Sequence, residues 1–537
     1  MFGLHHRPKA TGDAAESRVN PPIFDRRTVL VAVLTLFVAL FPFWPAFDYP
    51  GLNMDEGMLL LYPELAMKGQ VPYRDFETFY GPANIYALAG AYSVCGVSIS
   101  VERAVGLLYR ALLFAGIFVF ARRWGTIAAT FATLLGALFL VISHLPAFAW
   151  LGGVACVLWS VLSLSGNPRP WRAGVAGLLA AVALLYRPDL GPAVIASALP
   201  LFLRLPARQR WYYAGGGAIG LLPLLVLCVV AGARPLVENL FLYPVVLVNP
   251  ARRLPLSLAP AEVVFVFCLH AGAALCAIFS GIVLYRSKQR SDDAPLFLSF
   301  ALLAAGLTHQ GMQRADSIHV PTTAFLSVAL LPLAISLLAR RDRTRAPHVA
   351  WALGSAIAVV MFVVLGAPHL WKNYLHEYAV VLDTNPSKTH YFVAVRDRQF
   401  PVRMLGTSSQ KVVSFLEAQS VPGERLFVGT GDLRLTYVND TFIYHLLPWL
   451  TPASYFLEMN PLSANRPNSR LASDVASADW LVLNHIWDNS REPNLSTQPG
   501  SDAPNEVVRT MFDLRGRTGT FEVYHRKASA PAPVAVN

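Results

Sequence analysis

Long apolar runs recur along most of this chain, and they restrict its fold more than any other feature. Runs of about 17 to 22 residues follow one another between residues 29 and 366, and a membrane-spanning α-helix needs about 20 such residues. Hydrophobic residues make up 54% of the 537 residues, and the mean hydropathy is +0.44. A soluble fold could not bury that surface, so the sequence predicts a polytopic α-helical membrane protein.

The positions of the basic residues predict how these helices are oriented. Lys and Arg cluster in short segments between the apolar runs, and such segments stay in the cytoplasm. All the clusters fall on one side if about eleven helices cross the membrane, with the amino terminus inside and the carboxyl terminus outside. The predicted spans are 29–47, 102–121, 126–143, 147–165, 172–186, 189–205, 212–232, 260–285, 295–312, 320–339 and 348–366.

Residues 83–97 form an apolar segment that we do not count as a span. The segment is short for a crossing, and counting it would place every later basic loop outside the cytoplasm. We therefore predict that it lies along the membrane or re-enters it.

The formal net charge of +11 does not indicate a nucleic-acid partner. The basic residues belong to the short loops, and no basic arm is interleaved with aromatic residues. The five cysteines lie within or beside apolar runs and form no CxxC pair, which argues against a disulfide framework or a zinc site. Carboxylates can hold a divalent metal, but no ligand spacing here requires one.

Composition divides the chain into four parts. Residues 1–28 carry five Lys and Arg and no apolar core, which predicts a disordered cytoplasmic tail, and residues 29–368 form the transmembrane domain. Residues 369–527 contain no membrane-length run and are predicted to form a soluble extracytoplasmic α/β domain, followed by a disordered tail at 528–537. The elements predicted in the soluble domain are helices near 408–419 and 505–512, strands near 425–429, 480–484 and 520–525, and an exposed loop at 490–505.

The first predicted outer loop, residues 48–101, concentrates acidic residues in a chain of which only 14% is charged. Ionisable side chains beside a bilayer are costly and therefore indicate function. The alternative is that Asp55 only caps a helix from Glu56 to Met67, while the other carboxylates face water. The acidic residues of this loop between positions 53 and 82 are Asp55, Glu56, Glu64, Asp75 and Glu77.

The same topology places further polar residues on the outer membrane face. Arg187 and Asp189 can simply pair across the Pro188 turn, and Arg252 and Arg253 can reach lipid headgroups. Convergence on one face nevertheless predicts a common site. The residues that converge are Glu102, Arg103, His144, Arg187, Asp189, Arg252, Arg253, Gln310, Arg314, Asp316 and His319.

A series of short motifs within residues 29–125 carries a family resemblance. In chain order they are Asp55-Glu56, Met67-Lys68-Gly69-Gln70, Pro72, Asp75, Tyr80-Gly81-Pro82, Gly96, Arg103 and Arg122-Arg123-Trp124-Gly125. This pattern resembles the GT-C glycosyltransferases, and within them the protein mannosyltransferase and aminoarabinose transferase branch. One departure is visible, since many relatives place a lysine or histidine just before the proline, where this chain has Tyr80 and Gly81.

The resemblance implies a membrane glycosyltransferase that moves a sugar from a polyprenyl-phosphate donor to an extracytoplasmic glycan, lipid or protein. It implies Asp55 as general base, with Glu56 beside it, in the cytoplasmic membrane. Transfer to a hydroxyl needs a carboxylate that accepts the proton and cations that hold the leaving phosphate. The candidate substrate-binding residues are Asp75, Glu77, Tyr80, Arg103, Arg187, Asp189, Arg252, Arg314, Asp316 and His319.

Two other function classes stay open at this point. One is a membrane subunit that has the GT-C-like fold but no activity, which the sequence does not distinguish from an enzyme. The other is a transporter, which would place ionisable residues near the middle of its helices and often show inverted repeats. Here the charges lie at predicted helix ends, and no repeat is evident.

The topology can be tested by the accessibility of introduced cysteines. Ser501→Cys lies in the predicted outer domain and Ser291→Cys in a predicted cytoplasmic loop, so we expect an impermeant thiol reagent to label them from opposite sides. Labelling of both positions from the same side would contradict the predicted number of helices.

Overall fold

The computed structural model describes residues 25–47, 53–286, 293–339, 347–366, 407–489 and 491–531, with the single residues 368, 372 and 375. Most of the predicted amino-terminal tail, most of residues 369–406 and residues 532–537 lie outside the described residues.

Sixteen helices, numbered here in chain order, make up the membrane part of the described chain. A π-helix at Glu238–Val248 lies between α10 and α11. The bounds are α1 Arg26–Leu40, α2 Asn53–Met67, α3 Pro82–Cys95, α4 Ile99–Ala121, α5 Thr126–Leu140, α6 Ala149–Leu164, α7 Pro170–Tyr186, α8 Gly191–Phe202, α9 Ala207–Ala231, α10 Ala233–Val237, α11 Asn249–Arg252, α12 Ala261–Arg286, α13 Asp293–Gly306, α14 Thr308–Gln313, α15 His319–Ala339 and α16 Pro347–Gly366.

The apolar helices confirm a polytopic membrane protein. Within the described residues, six helical stretches are long and apolar enough to cross a membrane: Arg26–Phe47, Ile99–Trp124, Thr126–Ser143, Ala207–Ala231, Ala261–Arg286 and His319–Ala339. Shorter apolar helices follow at Ala149–Leu164, Pro170–Tyr186, Pro188–Phe202 and Trp351–Val364. Together with α13, they correspond to the predicted spans.

Several boundaries differ from the prediction for local reasons. The first helix begins at Arg26, inside the predicted tail, because the Asp25 carboxylate accepts a hydrogen bond from the Thr28 amide at 2.8 Å and caps it. The predicted span 295–312 is two helices, α13 and α14, which meet at Leu307. At this break Gly306 lies so close to α8 that an added Cβ would be 2.7 Å from the Cβ of Ala193.

The uncounted segment 83–97 forms α3, a helix of 14 residues. It begins with Pro82 at the first helical position. It is ended by Gly96, whose positive φ of 87° is incompatible with continuation of the α-helix. The helix is too short to be among the membrane-length helices of the described chain. Its path along or into the membrane stays a prediction.

The carboxyl-terminal part is an α/β domain, as predicted. Its sheet has five strands, β1 Arg425–Thr430, β2 Thr451–Pro452, β3 Trp480–Asn484, β4 Phe512–Thr518 and β5 Phe521–Arg526. Strands β1, β2 and β3 are parallel, whereas β5 runs antiparallel to β3 and β4, in the order β2-β1-β3-β5-β4. The helices are α17 Thr407–Gln419, α18 Phe442–Leu446, α19 Leu471–Ala476 and α20 Ala503–Met511. Strands β2 and β4 and helices α18 and α19 were not predicted.

The segments that follow β1 and β2 dock this carboxyl-terminal domain on α2 and the loop after it. The Thr441 hydroxyl donates to the Met54 carbonyl at 2.7 Å, and the Tyr455 hydroxyl donates to the Tyr73 carbonyl at 2.9 Å. Gly57 of α2 faces α18 so closely that an added Cβ would overlap backbone atoms. The domain therefore covers the first predicted outer loop.

Gly57→Ala should weaken this docking. The new methyl group would overlap the backbone nitrogen of Phe442, and such overpacking costs about 1–3 kcal/mol. Gly90→Ala on α3 is the matched control, since an added Cβ there meets nothing within 4 Å. Thermal unfolding in detergent, together with proteolysis of the carboxyl-terminal domain, would measure the difference. Equal stability of the two variants would contradict this packing of α2 on α18.

Candidate active site

A pocket lies beside the first turn of α2, between α2, α3 and the start of α6. Its walls are mostly apolar, with a few polar groups, which is the usual character of a ligand site. Six of its lining residues are Asp55, Tyr62, Tyr80, Asn84, Leu88 and Phe148.

Asp55 is the carboxylate that lines this pocket. Because α2 begins at Asn53, Asp55 lies inside the first helical turn and not at the N-cap. The alternative that Asp55 only caps a helix starting at Glu56 is therefore wrong. Its side chain is half-buried, and within the described chain it has no hydrogen-bond partner. The carboxylate is available to a molecule in the pocket.

The electrostatic surroundings of Asp55 act in opposite directions. Burial raises the pKa of the Asp55 carboxyl, while the neighbouring Arg252, His319 and Arg314 favour its ionised form. The first turn of a helix also stabilises a negative charge. The sequence placed all four residues on one membrane face, and the structure brings them together.

Glu56 has a different environment from its neighbour. It is buried in a bidentate ion pair with Arg103 of α4, with Nε–Oε1 at 2.7 Å and Nη2–Oε2 at 3.0 Å. Arg103 also donates to the Phe47 carbonyl at 2.5 Å. Both predicted site residues thus tie α2 to α4 and do not line the pocket.

Arg187 and Asp189 pair across the Pro188 turn. The two hydrogen bonds, Nε–Oδ1 at 2.9 Å and Nη2–Oδ2 at 2.6 Å, form a bidentate pair. The Gln310 amide also donates to Asp189, and the Arg187 guanidinium lies 5.7 Å from the ring centroid of Tyr80. Arg187 is therefore close to the pocket, but its charge is already balanced.

Arg314 is balanced by two carboxylates. Its Nε donates to Asp316 at 3.0 Å, and its two terminal nitrogens donate to Glu492 of the carboxyl-terminal domain. Asp316 also accepts from the His319 ring at 2.9 Å, and these hydrogen bonds overcome burial and lower its pKa to about 2. Residues 490–505 were predicted as an exposed loop, but Glu492 anchors this segment to the membrane part.

Arg252 differs from the other arginines of this site because no described carboxylate forms an ion pair with it. Its Nη2 donates weakly to the Tyr437 carbonyl at 3.4 Å, and its Nε is buried without a hydrogen-bond partner among the described residues. Its charge faces Asp55 and Tyr80. A buried donor without an acceptor is costly, so a bound anion would stabilise it.

The three remaining carboxylates between positions 53 and 82 are separate from the pocket lining. Glu64 pairs with Lys68 at 3.0 Å. Asp75 pairs with Arg74 at 2.9 Å near the surface and accepts from the Val71 amide. Glu77 is buried, and its Oε1 accepts from the Ser463 hydroxyl at 2.5 Å. Burial raises the pKa of Glu77 to about 8, which indicates a protonated carboxyl at neutral pH.

Three charged residues around the site were not predicted from the sequence. Glu458 and Glu492 belong to the carboxyl-terminal domain, and only a predicted docking of that domain could have placed them here. Arg110 lies within α4 and donates to the carbonyls of residues 143, 145 and 146, so the expectation that charges lie at helix ends is wrong for it. An arginine inside an apolar helix was a visible signal.

The described residues contain no group of three His, Cys, Asp or Glu side chains placed to hold a metal ion. Arg252 and Asp55, a cation and a carboxylate, face each other beside the pocket.

Comparison with known proteins gives the fold. No family model matches the sequence, and no curated protein matches it. Among solved structures, the chain is similar to ArnT from Cupriavidus metallidurans bound to undecaprenyl phosphate, with a TM-score of 0.52, 13% identity, and coverage of 95% of this chain and 99% of that chain. ArnT from the same organism in the apo state gives a TM-score of 0.52 at 14% identity, covering 95% and 98%.

A third similar structure is the arabinofuranosyltransferase AftD from Mycobacteria. It has a TM-score of 0.42 and 13% identity, and the match covers 94% of this chain and 42% of that one. The match to ArnT covers nearly the whole of both chains. This chain is thus a multi-pass membrane protein with the GT-C fold.

Proposed function

We propose that this protein is a glycosyltransferase that moves a sugar from a polyprenyl-phosphate carrier to a hydroxyl of an acceptor outside the cytoplasm. The observation that carries the proposal is the half-buried Asp55 carboxylate, which lines the pocket and faces Arg252, an arginine without a carboxylate ion pair among the described residues. The ArnT structure with the same fold is bound to undecaprenyl phosphate, which supports a polyprenyl-phosphate donor.

The reaction assigns one role to each of these two residues. Asp55 accepts the proton of the acceptor hydroxyl as its oxygen bonds to the anomeric carbon. The bond between that carbon and the phosphate oxygen breaks, and the electron pair leaves with the polyprenyl phosphate. Arg252 holds the departing phosphate, for which a planar guanidinium is well suited. Protons and charges balance without a further reactant.

The apolar wall of the pocket explains the membrane location. Its residues Met58, Ile85 and Leu88 lie on α2 and α3 beside Asp55 and suit an isoprenoid chain. We place the pocket and the carboxyl-terminal domain on the extracytoplasmic face of the cytoplasmic membrane, because the basic loops then lie inside. The acceptor is then a glycan, a lipid or a protein of the cell envelope.

Among the predicted phosphate contacts, Arg252 is favoured over Arg187 and Arg314. Arg187 is already bound to Asp189, and Arg314 to Asp316 and Glu492. Binding of phosphate to either would first require loss of an existing ion pair. Arg252 needs no such exchange.

Asp55→Asn tests the proposed base. The amide has nearly the same volume but cannot accept the proton, so we expect normal folding and transfer lower by about 100-fold or more. Burial raises the pKa of Asp55. As the pH is lowered, the wild-type rate should therefore begin to fall at a pH above about 3.9, the ordinary pKa of aspartate. Transfer by purified protein with a polyprenyl-phosphate donor is the measurement.

Glu56→Gln is the comparison variant for this experiment. It leaves the charge of buried Arg103 without its carboxylate, and breaking such a pair costs about 3–5 kcal/mol. We therefore expect loss of stability in Glu56→Gln and loss of turnover in Asp55→Asn. Turnover of Asp55→Asn within a few-fold of wild type would exclude Asp55 as the base.

Arg252→Lys tests the phosphate contact. A point charge replaces the planar fork, so the KM for the donor should rise by about tenfold while the KM for the acceptor changes little. The matched control is Arg253→Lys, because Arg253 is adjacent in sequence and its side chain is exposed. Equal donor KM values for the two variants would remove Arg252 from the donor site.

A further inference from the structure

Glu458 is a buried carboxylate of the carboxyl-terminal domain that the proposed reaction does not use. It is 5% exposed, and its Oε1 accepts a hydrogen bond from the Tyr62 hydroxyl at 3.2 Å. Its Oε2 accepts from the Asn460 amide at 2.8 Å. Since Tyr62 lines the pocket with Asp55, the contact joins the carboxyl-terminal domain to the proposed site.

The loop that carries Glu458, residues 453–463, is held in an unusual conformation. Met459 and Leu462 have φ values of 56° and 61°, and large side chains avoid this left-handed region. The Asn439 amide donates a hydrogen bond to the Leu457 carbonyl of the loop at 2.7 Å. The Ser463 hydroxyl, also of the loop, donates a hydrogen bond to Glu77. The surrounding contacts therefore impose the position of Glu458.

The same geometry fixes Tyr62 from two sides. Its ring stacks on Phe76 with centroids 5.0 Å apart, and its hydroxyl proton is directed to Glu458. Burial raises the pKa of the Tyr62 phenol, so the hydroxyl stays protonated and acts as a donor to Glu458. Its oxygen lone pairs remain for a substrate hydroxyl in the pocket.

We propose that Glu458 is a positioning residue of the transfer site, which orients the Tyr62 hydroxyl and adds a negative charge near Asp55 and Arg252. The proposal rests on the proposed function. It makes the carboxyl-terminal domain a part of the site, since this charge reaches the pocket only when the domain is docked on α2.

The charge of Glu458 acts on Asp55 together with several other groups. Arg252, His319 and Arg314 favour the ionised form of Asp55, whereas Glu56 opposes it. Burial raises the pKa of Glu458, whereas Arg252 and the hydrogen bonds from Asn460 and Tyr62 favour its ionised form. The ionised Asp55 and Glu458 carboxylates repel each other, and the Tyr80 hydroxyl also faces both. Removing the Glu458 charge alone should therefore make Asp55 easier to ionise and leave the remaining groups in place.

The test is the pH dependence of transfer by Glu458→Gln, with Glu506→Gln as control. Glu506 is an exposed carboxylate of α20 that pairs with Arg509. We expect the acidic limb of the Glu458→Gln profile to move to lower pH, and that of Glu506→Gln to coincide with wild type. An unmoved limb in Glu458→Gln, or the same movement in Glu506→Gln, would overturn the proposal.

Two further measurements complement the pH profile, and the second does not depend on activity. Tyr62→Phe retains the Glu458 charge and loses one hydrogen bond. Its kcat should therefore fall by about tenfold, with the acidic limb of the pH profile unmoved. A kcat within twofold of wild type would overturn the positioning role.

Carbodiimide labelling of Asp55 across a range of pH, followed by mass spectrometry, reports the protonation of Asp55 without any sugar transfer. Absence of sugar transfer by the wild-type protein would contradict the proposed function. An unchanged pH midpoint of Asp55 labelling in Glu458→Gln would contradict this inference instead.

Discussion

The buried ion pair between Glu56 and Arg103 fixes the orientation of α2, and the rest of the site depends on that orientation. Successive residues of an α-helix point about 100° apart around its axis. With Glu56 directed to α4, Asp55 faces the pocket and Gly57 faces α18 of the carboxyl-terminal domain. Three consecutive residues therefore meet the membrane helices, the pocket and the docked domain.

Charge pairing decides which groups are left for a substrate. Ion pairs that are removed from water lose hydration, and a buried charge without a partner is costly. Arg103, Arg187 and Arg314 each have carboxylate partners, so a substrate gains little by binding to them. Arg252 lacks such a partner among the described residues, and a phosphate would supply the missing negative charge. Charge pairing also distinguishes Asp55 from Glu56, although the two are adjacent in sequence.

Much of the fold follows from the sequence, because membrane spans depend on local properties. Apolar length and the positions of Lys and Arg predicted the apolar helices, while the path of α3 relative to the membrane stays a prediction. The break at Leu307 was not predicted, and the close packing of Gly306 against α8 beside it is a tertiary contact that the sequence does not show. Strand β4 contains few apolar residues and has only one buried position, so its sequence lacks the apolar alternation that indicates a strand.

The part of the candidate site that the sequence predicts best is the part that belongs to one continuous segment. Asp55 stood out because it lies in an acidic loop beside an apolar helix, and that loop is continuous in sequence. Glu458 and Glu492 are about 400 residues away, and they reach the site through the docking of a separate domain. Sequence reasoning placed the arginines on one face but could not tell which were paired, because pairing depends on side-chain distances.

The interface between the two parts also shows how acidic residues can be buried there. Glu77 and Glu458 lie close enough for their charges to interact, and Ser463 of the loop that carries Glu458 donates a hydrogen bond to Glu77. With its pKa raised to about 8, Glu77 is neutral at pH 7 and adds no negative charge to the interface. Burial also raises the pKa of Glu458, and Arg252 is the cation that most favours its ionised form. Arg252 therefore faces both Asp55 and Glu458, so a change of charge at one of these three residues acts on the other two.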